Sequence, residues 1–282
     1  MTRDFFSPSG DWPPVALPDT HVRPVAAPDV GRYELMIHVP PQSAPPAGFP
    51  AIYLLDANAD FATMVDAVRR GSRRPDSTGI PPAVIIGIGH PGDAPYDQGR
   101  RQRDFTTARA ERGASGGAPA FLAFVRDVVK PTVRGSLPIN PTHEILFGHS
   151  LAGYFTLWAM MQEPRGFAGY AAISPSIWWD EQGLTGALKR ATAGEKHPRL
   201  LLAVGEWEEA LAPWQADLPR RPEIEVRRRE RRMIGAARDL AARCARTGTF
   251  EVKFECVAGQ DHSSIVPASV NLALRFLLAA SA

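Results

Sequence analysis

A serine flanked by small residues follows a short apolar run near the middle of the chain. Residues 144–147 are followed by Gly148-His149-Ser150-Leu151-Ala152-Gly153, and an apolar helical pattern over residues 154–161 begins at once. This order predicts a strand, a sharp turn and a helix. Such a turn exposes a hydroxyl and leaves helix N–H groups available to stabilise an oxyanion. We therefore predict that Ser150 is a nucleophile; the alternative is an ordinary strand-to-helix turn.

A nucleophilic serine needs a general base, and the chain has seven histidines. His262 follows the most regular alternating strand pattern, residues 250–257, and precedes the last helical pattern. It also completes the order serine, acid, histidine that is typical of α/β-hydrolases. His90, which follows another strand pattern, is the alternative pocket histidine. His149 adjoins the serine, but neighbours in a tight turn point in different directions.

An acid that orients the imidazole should follow the strand before the histidine strand. The sequence there is Gly205-Glu206-Trp207-Glu208-Glu209, which offers three carboxylates. We predict Glu208 first and Glu206 second; the alternative is a serine–histidine dyad. For the oxyanion we predict the N–H of Leu151 together with that of Asn58, which lies in the turn after an earlier apolar strand.

Apolar runs separated by helical patterns recur along the chain. A continuous apolar run is typical of a strand buried on both faces, and helices between such strands indicate a parallel sheet. We therefore predict an α/β protein with the α/β-hydrolase fold, which has a mostly parallel central sheet and helices on both faces. The strands are predicted over residues 33–39, 51–55, 83–89, 144–147, 170–174, 200–204 and 250–257.

Proline content divides the chain. Residues 1–50 contain 11 of the 27 prolines, which favours extended structure. We predict an extended, proline-rich N-terminal arm over residues 1–32 and a catalytic domain over residues 33–282. A long polar segment over residues 90–117 lies between a strand and a helix, where parallel sheets place ligand sites. The arginine-rich run 227–232 is predicted to open a helix with a solvated face.

Composition excludes several classes of partner. The 32 basic and 30 acidic residues give a formal net charge of +2, so nucleic acid is not expected. Two cysteines are too few for a disulfide framework and show no metal-ligand spacing. No apolar run reaches the length of a signal peptide or a membrane span. We therefore expect no cofactor, metal or membrane partner, and a cytoplasmic location, or a periplasmic one if a leader has been removed.

Five motifs occur along the chain in this order: Leu54-Leu55-Asp56-Ala57-Asn58-Ala59, Arg101-x-Arg103-Asp104-Phe105-Thr106, Gly148-His149-Ser150-Leu151-Ala152-Gly153, Ser174-Pro175-Ser176-Ile177-Trp178-Trp179 and Asp261-His262-Ser263-Ser264. Their order resembles that of the esterase D-like branch of the α/β-hydrolases, and most closely its trilactone siderophore esterases, which cleave enterobactin, salmochelin or bacillibactin. The resemblance extends from about Tyr33 to the C-terminus. The chain departs from the family at Ala57 and Ala152, where glycine is usual, and in an Arg- and Gly-rich loop over residues 111–117.

The resemblance implies a serine esterase that cleaves a catecholate trilactone, ferric or iron-free, through an acyl-enzyme. A ferric tris-catecholate is an aromatic trianion, so its pocket should offer arginines for charge and indole rings for stacking. The alternative is that the arginines pair with nearby aspartates and the indoles fill the core. The predicted substrate contacts are Arg100, Arg101, Arg103, Trp178 and Trp179.

Two other functions fit the same residues. The first is a general carboxylesterase or acyltransferase that acts on short-chain, feruloyl or acyl-sugar esters. The second is a catalytically inactive homologue that binds an anionic aromatic ligand. In each case we expect a small-molecule ligand, and the sequence carries no signal for an oligomeric state.

Overall fold

One eight-stranded sheet forms the centre of the molecule. The computed structural model describes residues 15–109, 113, 115–191, 198–217 and 219–279. The strands within these ranges are β1 (Thr20–Ala27), β2 (Gly31–His38), β3 (Phe49–Leu55), β4 (Val84–Gly89), β5 (Ile139–His149), β6 (Gly169–Ile173), β7 (Arg199–Gly205) and β8 (Glu251–Val257). Their spatial order is β1-β2-β4-β3-β5-β6-β7-β8. The pairs β1–β2 and β2–β4 are antiparallel, and every pair from β4 to β8 is parallel.

Helices cover both faces of this sheet. Helices α1 and α10 pack on one face, and the other face carries the helices from α4 to α7 together with α9. None of the helices in the described ranges combines the length and apolar character that a bilayer crossing requires. The helices are α1 (Ala57–Gly71), α2 (Pro75–Thr78), α3 (Gln98–Asp104), α4 (Ala118–Phe124), α5 (Lys130–Arg134), α6 (Leu151–Gln162), α7 (Glu181–Leu188), α8 (Arg221–Arg231), α9 (Met233–Arg246) and α10 (Ile265–Leu278), with a π-helical turn, Val125–Val129, joining α4 to α5.

The continuous apolar runs are buried because each strand faces two cores. In β3, Tyr53 and Leu55 pack into the core on one face, while Ile52 and Leu54 pack into the core on the other. Side chains alternate across a strand, so a strand with helices on both sides must be apolar at every position. The predicted fold, a mostly parallel sheet with helices on both faces, is confirmed.

Parallel pairing brings several loops to one edge of the sheet. The carboxyl ends of β3, β5, β7 and β8 all lie at this edge, since parallel strands run in the same direction. The turns that follow these strands contain Asp56, Ser150, Glu208 and His262. The topology therefore assembles groups that are up to 206 positions apart in the sequence, since 262 − 56 = 206.

The predicted boundary between the arm and the catalytic domain falls inside the sheet. β1 lies within residues 1–32, yet it pairs with β2 along its whole length, from Thr20 opposite His38 to Ala27 opposite Gly31. Its backbone hydrogen bonds join it to the sheet, so this part of the arm belongs to the domain. Residues 1–14 lie outside the described residues.

The arginine-rich run also differs from its prediction. Arg232 adopts φ 44° and ψ 46°, a left-handed conformation that ends α8 and begins α9. Most of the run therefore closes α8 instead of opening α9. The two helices differ because α9 buries an apolar face that includes Leu240 and Cys244, whereas α8 has no buried residue.

A buried carboxylate neutralises two cations in the β5 region. Glu144 is 1% exposed and accepts hydrogen bonds from Tyr53 at 2.8 Å and Arg134 at 2.8 and 2.5 Å. Lys130 also pairs with it at 2.9 Å. Burial opposes ionisation of Glu144, but these donors outweigh burial and hold the pKa of this carboxyl below its ordinary value.

The substitution Glu144→Gln should lower the free energy of unfolding by about 3 kcal/mol at pH 7, because it leaves the buried Lys130 ammonium without a counter-charge. Urea denaturation measures this difference. A depressed pKa means that the stabilisation by Glu144 is complete at neutral pH and is lost as the pH falls below about 4.5, the ordinary value for this group. The difference in free energy of unfolding between wild type and Glu144→Gln should therefore become smaller in acid.

The control variant is Glu251→Gln. Glu251 pairs with Arg199 at 3.0 Å, but its side chain is 55% exposed. Solvent screens such a pair, so its loss should cost less than about 1 kcal/mol. An equal loss of unfolding free energy in Glu144→Gln and Glu251→Gln would show that burial of the Glu144 charge does not matter for stability.

Candidate active site

The turn between β5 and α6 holds Ser150 in a strained conformation. Ser150 has φ 60° and ψ −116°, a combination that costs a residue other than glycine about 1–3 kcal/mol. Three backbone hydrogen bonds hold it: its N–H donates to Ile173 at 3.0 Å, and its carbonyl accepts from Tyr154 at 2.9 Å and from Ser176 at 3.0 Å. The conformation turns the chain sharply from strand to helix and leaves the hydroxyl at the edge of the sheet.

Small residues allow this turn to close. A Cβ on Gly148 would lie 2.3 Å from the carbonyl oxygen of Ala152, which is too close for any side chain. A Cβ on Gly153 would lie 2.9 Å from the carbonyl oxygen of Ile173. The elbow therefore needs glycine at positions 148 and 153, whereas the buried Ala152 fits where a serine hydrolase often has glycine.

A hydrogen-bonded chain connects the serine, the histidine and one carboxylate. The Oγ of Ser150 lies 3.1 Å from Nε2 of His262, and Nδ1 of the same ring lies 2.9 Å from Oε2 of Glu208. In this arrangement the serine hydroxyl can donate to Nε2 while Nδ1–H donates to the carboxylate. The imidazole can therefore accept the serine proton, and the carboxylate is placed to stabilise the cation that results.

Glu208 is the carboxylate that reaches the imidazole. Its side chain is 1% exposed, and Oε1 accepts hydrogen bonds from the N–H of Gly205 at 2.7 Å and from the hydroxyl of Ser174. These donors satisfy a buried charge. Glu206, the second choice from the sequence, is exposed and instead accepts from the N–H of Gly259 at 2.7 Å.

His149 packs against His262, a contact that the sequence did not reveal. Its Nε2 lies 2.9 Å from the carbonyl oxygen of His262, and the two ring centroids are 4.7 Å apart. Burial, and then the neighbouring His262, lower the pKa of His149 to about 3. The ring is therefore neutral at physiological pH, and its Nε2–H donates to that carbonyl. A neutral ring packs against the base without placing a second positive charge beside it.

The two predicted oxyanion donors lie at the beginnings of helices. Leu151 is the first residue of α6 and Asn58 the second of α1, and the first N–H groups of a helix have no acceptor within it. The register that sets Leu54 opposite Phe147 places both helix starts side by side. The side chain of Asn58 binds the backbone of His90 twice, at 3.0 and 2.9 Å. His90 therefore contributes backbone groups that hold this turn.

The three predicted substrate arginines all pair with aspartates. The Nε of Arg100 lies 3.3 Å from Asp97, and that of Arg103 lies 2.6 Å from Asp104. Arg101 is only 8% exposed, and its Nε lies 3.0 Å from the carboxylate of Asp56. Burial argues against direct contact between Arg101 and a substrate, whereas Arg100 and Arg103 remain partly exposed.

The two predicted substrate tryptophans occupy different environments. Trp179 is 3% exposed, and its indole N–H donates to the carbonyl of Thr107 at 3.2 Å, so it fills the core. Trp178 is half-buried, and the guanidinium of Arg231 lies 4.3 Å from its ring centroid. Only Trp178 of this pair therefore offers ring surface at the molecular boundary.

Helix α8 brings two arginines near the site, although the sequence suggested only a solvated face. Arg231 stacks on Trp178, and Arg228 precedes it by three positions, hence on the same side of the helix. Burial lowers the pKa of Arg228, and the charges of Asp261 and Glu208 oppose this shift, so these carboxylates lie close by. The run of arginines is the only signal in the sequence for this basic helix. The position of the helix near the site depends on the left-handed turn at Arg232.

No group of three His, Cys, Asp or Glu side chains among the described residues is arranged to hold a metal ion. The polar groups at this edge of the sheet are instead joined to one another by the hydrogen bonds above. Their arrangement is suited to acyl transfer, in which a serine attacks a carbonyl and an imidazole moves the proton.

Comparison with known proteins gives the same picture. Residues 30–239 match the family described as "Putative esterase". The ferri-bacillibactin esterase BesA of Bacillus subtilis is 35% identical over 280 residues, which cover 93% of this chain and 90% of that protein. The siderophore triacetylfusarinine C esterase of Aspergillus fumigatus is 34% identical over 241 residues, or 80% of each chain. The crystal structure of the BES protein from Bacillus cereus superimposes with a TM-score of 0.78 at 29% identity, covering 95% of this chain and 97% of that one.

The substitution Glu208→Gln should lower kcat for p-nitrophenyl butyrate by about 10²- to 10⁴-fold, because an amide cannot stabilise the imidazolium and favours the wrong tautomer. Steady-state release of p-nitrophenolate measures this loss. Glu206→Gln is the matched control and should stay close to wild type. If both variants kept full activity, a serine–histidine dyad would be sufficient.

Proposed function

The chain belongs to the esterase family and is a carboxylic ester hydrolase, and on this premise we propose that Ser150, His262 and Glu208 form its catalytic triad. We further propose that its substrate is a catecholate trilactone siderophore, ferric or iron-free. One observation supports this chemistry above all: hydrogen bonds connect the hydroxyl, the imidazole and the buried carboxylate in a chain.

In the first half of the reaction, Ser150 attacks the ester carbonyl while Nε2 of His262 takes its proton. The resulting oxyanion accepts hydrogen bonds from the N–H groups of Leu151 and Asn58. The tetrahedral intermediate then collapses, the C–O bond to the leaving alcohol breaks, and His262 returns the proton to that alcohol. The product is an acyl-enzyme on Ser150.

In the second half, water replaces the alcohol. His262 removes a proton from the water, which attacks the acyl carbonyl and forms a second oxyanion in the same place. When this intermediate collapses, the bond between the acyl carbon and Oγ of Ser150 breaks, His262 returns its proton to Oγ, and the carboxylic acid leaves. Because a trilactone is cyclic, its first cleavage opens the ring without dividing the molecule, and later cleavages release linear fragments.

Two observations support the choice of substrate. The two relatives compared above, at 35% and 34% identity, are both named as siderophore esterases. In addition, the guanidinium of Arg231 stacks on the partly exposed ring of Trp178, and Arg228 lies near the carboxylate of Glu208. Indole rings and guanidinium groups at the mouth of a site complement an aromatic anion.

Incubation of the protein with ferric and iron-free enterobactin should produce linear fragments that mass spectrometry detects, and Ser150→Ala should abolish them. Survival of the trilactone alongside hydrolysis of p-nitrophenyl butyrate would instead favour a general carboxylesterase. If neither ester were cut by the wild type, the chain would be an inactive ligand-binding homologue.

Replacing Arg231 by glutamine should raise KM for ferric enterobactin about 5- to 30-fold, since a cation beside an aromatic anion contributes about 1–2 kcal/mol. KM for the neutral ester p-nitrophenyl butyrate should change little. The control is Arg229→Gln, which removes an exposed arginine from the same helix. An equal rise of KM for the two esters in Arg231→Gln would contradict an electrostatic role.

A further inference from the structure

A buried ion pair holds the turn between β3 and α1. Asp56 follows β3 directly and adopts φ 53° and ψ 42°, a left-handed conformation at the N-cap of α1. Its carboxylate does not cap that helix. Both of its oxygens lie 3.0 Å from Nε of Arg101 on α3 instead. The direction of the turn is therefore held by a different part of the chain, 45 positions away.

The guanidinium of Arg101 is enclosed by protein. The residue is 8% exposed and its partner Asp56 is 7% exposed. Besides this pair, Nη1 of Arg101 donates to the side chain of Gln98 at 3.3 Å, and the ring centroid of Tyr96 lies 4.7 Å from Cζ. Arg101 therefore acts on the protein itself, in contrast to the substrate contact that the sequence suggested.

This ion pair lies close to the elbow that carries Ser150. Leu54 is opposite Phe147 in the sheet, so the turn that begins at Asp56 lies beside the elbow at Ser150. The positive charge of Arg101 also lowers the pKa of His149, after the larger effects of burial and of the neighbouring imidazole. The ion pair is thus close to the elbow as well as to the turn that carries Asn58.

We propose that Arg101 is a positioning residue for the oxyanion hole. By clamping Asp56 it holds the left-handed turn that presents the N–H of Asn58 to the oxyanion. The inference rests on the proposed function, since acyl transfer is what generates this oxyanion. Donors stabilise a transition state only when they are already aimed at the developing charge, so a small shift of the turn should slow the reaction.

Burial of Asp56 explains why the turn depends on the guanidinium of Arg101. Burial raises the pKa of Asp56 to about 6, although the charge of Arg101 acts in the opposite direction. Without the guanidinium, the carboxylate would be an isolated buried charge, which either takes up a proton or moves toward water. Both responses release the side chain that holds the left-handed conformation. The second clamp on this turn, between Asn58 and His90, would then act alone.

Steady-state kinetics of Arg101→Met and Asp56→Asn test the proposal with two esters, p-nitrophenyl butyrate and ferric enterobactin. We expect kcat to fall about 10- to 100-fold with both esters, as when one oxyanion donor is weakened, while KM changes less than about threefold. The double variant should be no slower than the slower single variant, because the two groups act as one unit.

Three kinetic outcomes would overturn the proposal. A rise in KM confined to the anionic ester would assign Arg101 to substrate binding. Additive losses in the double variant would show that the two side chains act independently. Arg101→Lys restores the charge without the planar fork, so it should recover part of the lost kcat; no recovery in a folded Lys variant would also count against the ion pair.

A trifluoromethyl ketone inhibitor provides a second readout. It adds to the serine as a tetrahedral oxyanion, so its Ki in Arg101→Met should rise in proportion to the loss of kcat/KM. Glu144→Gln is the control for general destabilisation, because its ion pair lies away from the reacting edge, and it should keep the wild-type Ki. An unchanged Ki in Arg101→Met, or an equal rise in the control, would refute the positioning role.

The same experiments separate this inference from the proposed function. If wild type cuts neither ester, the proposed function fails. If wild type cuts both esters and Arg101→Met retains its kcat, the positioning inference alone fails.

Discussion

The closure of the elbow between β5 and α6 is the constraint on which the rest of the site depends. Ser150 has φ 60°, and the backbone around it packs so closely that a Cβ on Gly148 would lie 2.3 Å from the carbonyl oxygen of Ala152. Two of the three backbone hydrogen bonds that hold this conformation come from the neighbouring strand β6 and its loop, through Ile173 and Ser176. Strain at Ser150 is therefore balanced by the packing of the sheet, as is common at functional sites.

Three of the buried carboxylates, Glu144, Asp56 and Glu208, are each held by a different set of donors. Glu144 is surrounded by cations and a phenol, Asp56 faces a single guanidinium, and Glu208 is held by an N–H, a hydroxyl and an imidazole. A permanent cation suits the two structural positions, because the charge there need not change. The imidazole beside Glu208 is different, since in the proposed mechanism it gains a proton and becomes a cation only during the reaction.

The proposed substrate contacts and the proposed catalytic triad lie on different parts of the structure. Ser150, Glu208 and His262 lie on turns that follow strands of the central sheet, where packing on both faces holds them in place. The basic helix α8 has no buried residue, and two of its arginines, Arg228 and Arg231, lie near the site. Under the proposed function, substitutions on such an exposed helix should change which ester is bound without disturbing the sheet. Relatives of this chain carry the names of different siderophores, which is consistent with this separation.

The sequence by itself determined the fold class and most of the strands, because these depend on local periodicity and on the order of motifs. It also predicted Ser150 and His262, which the fold brings to 3.1 Å from each other. It offered three carboxylates after β7, and only the tertiary structure decided that Glu208 faces His262 while Glu206 faces Gly259. It also suggested Arg101 as a substrate contact, with pairing to a nearby aspartate as the alternative, and the fold buries that side chain against Asp56. The physical reason is that a pattern along the chain records which residues are apolar, charged or small. Which charges meet depends on distances between strands, and those are set by packing across the whole sheet.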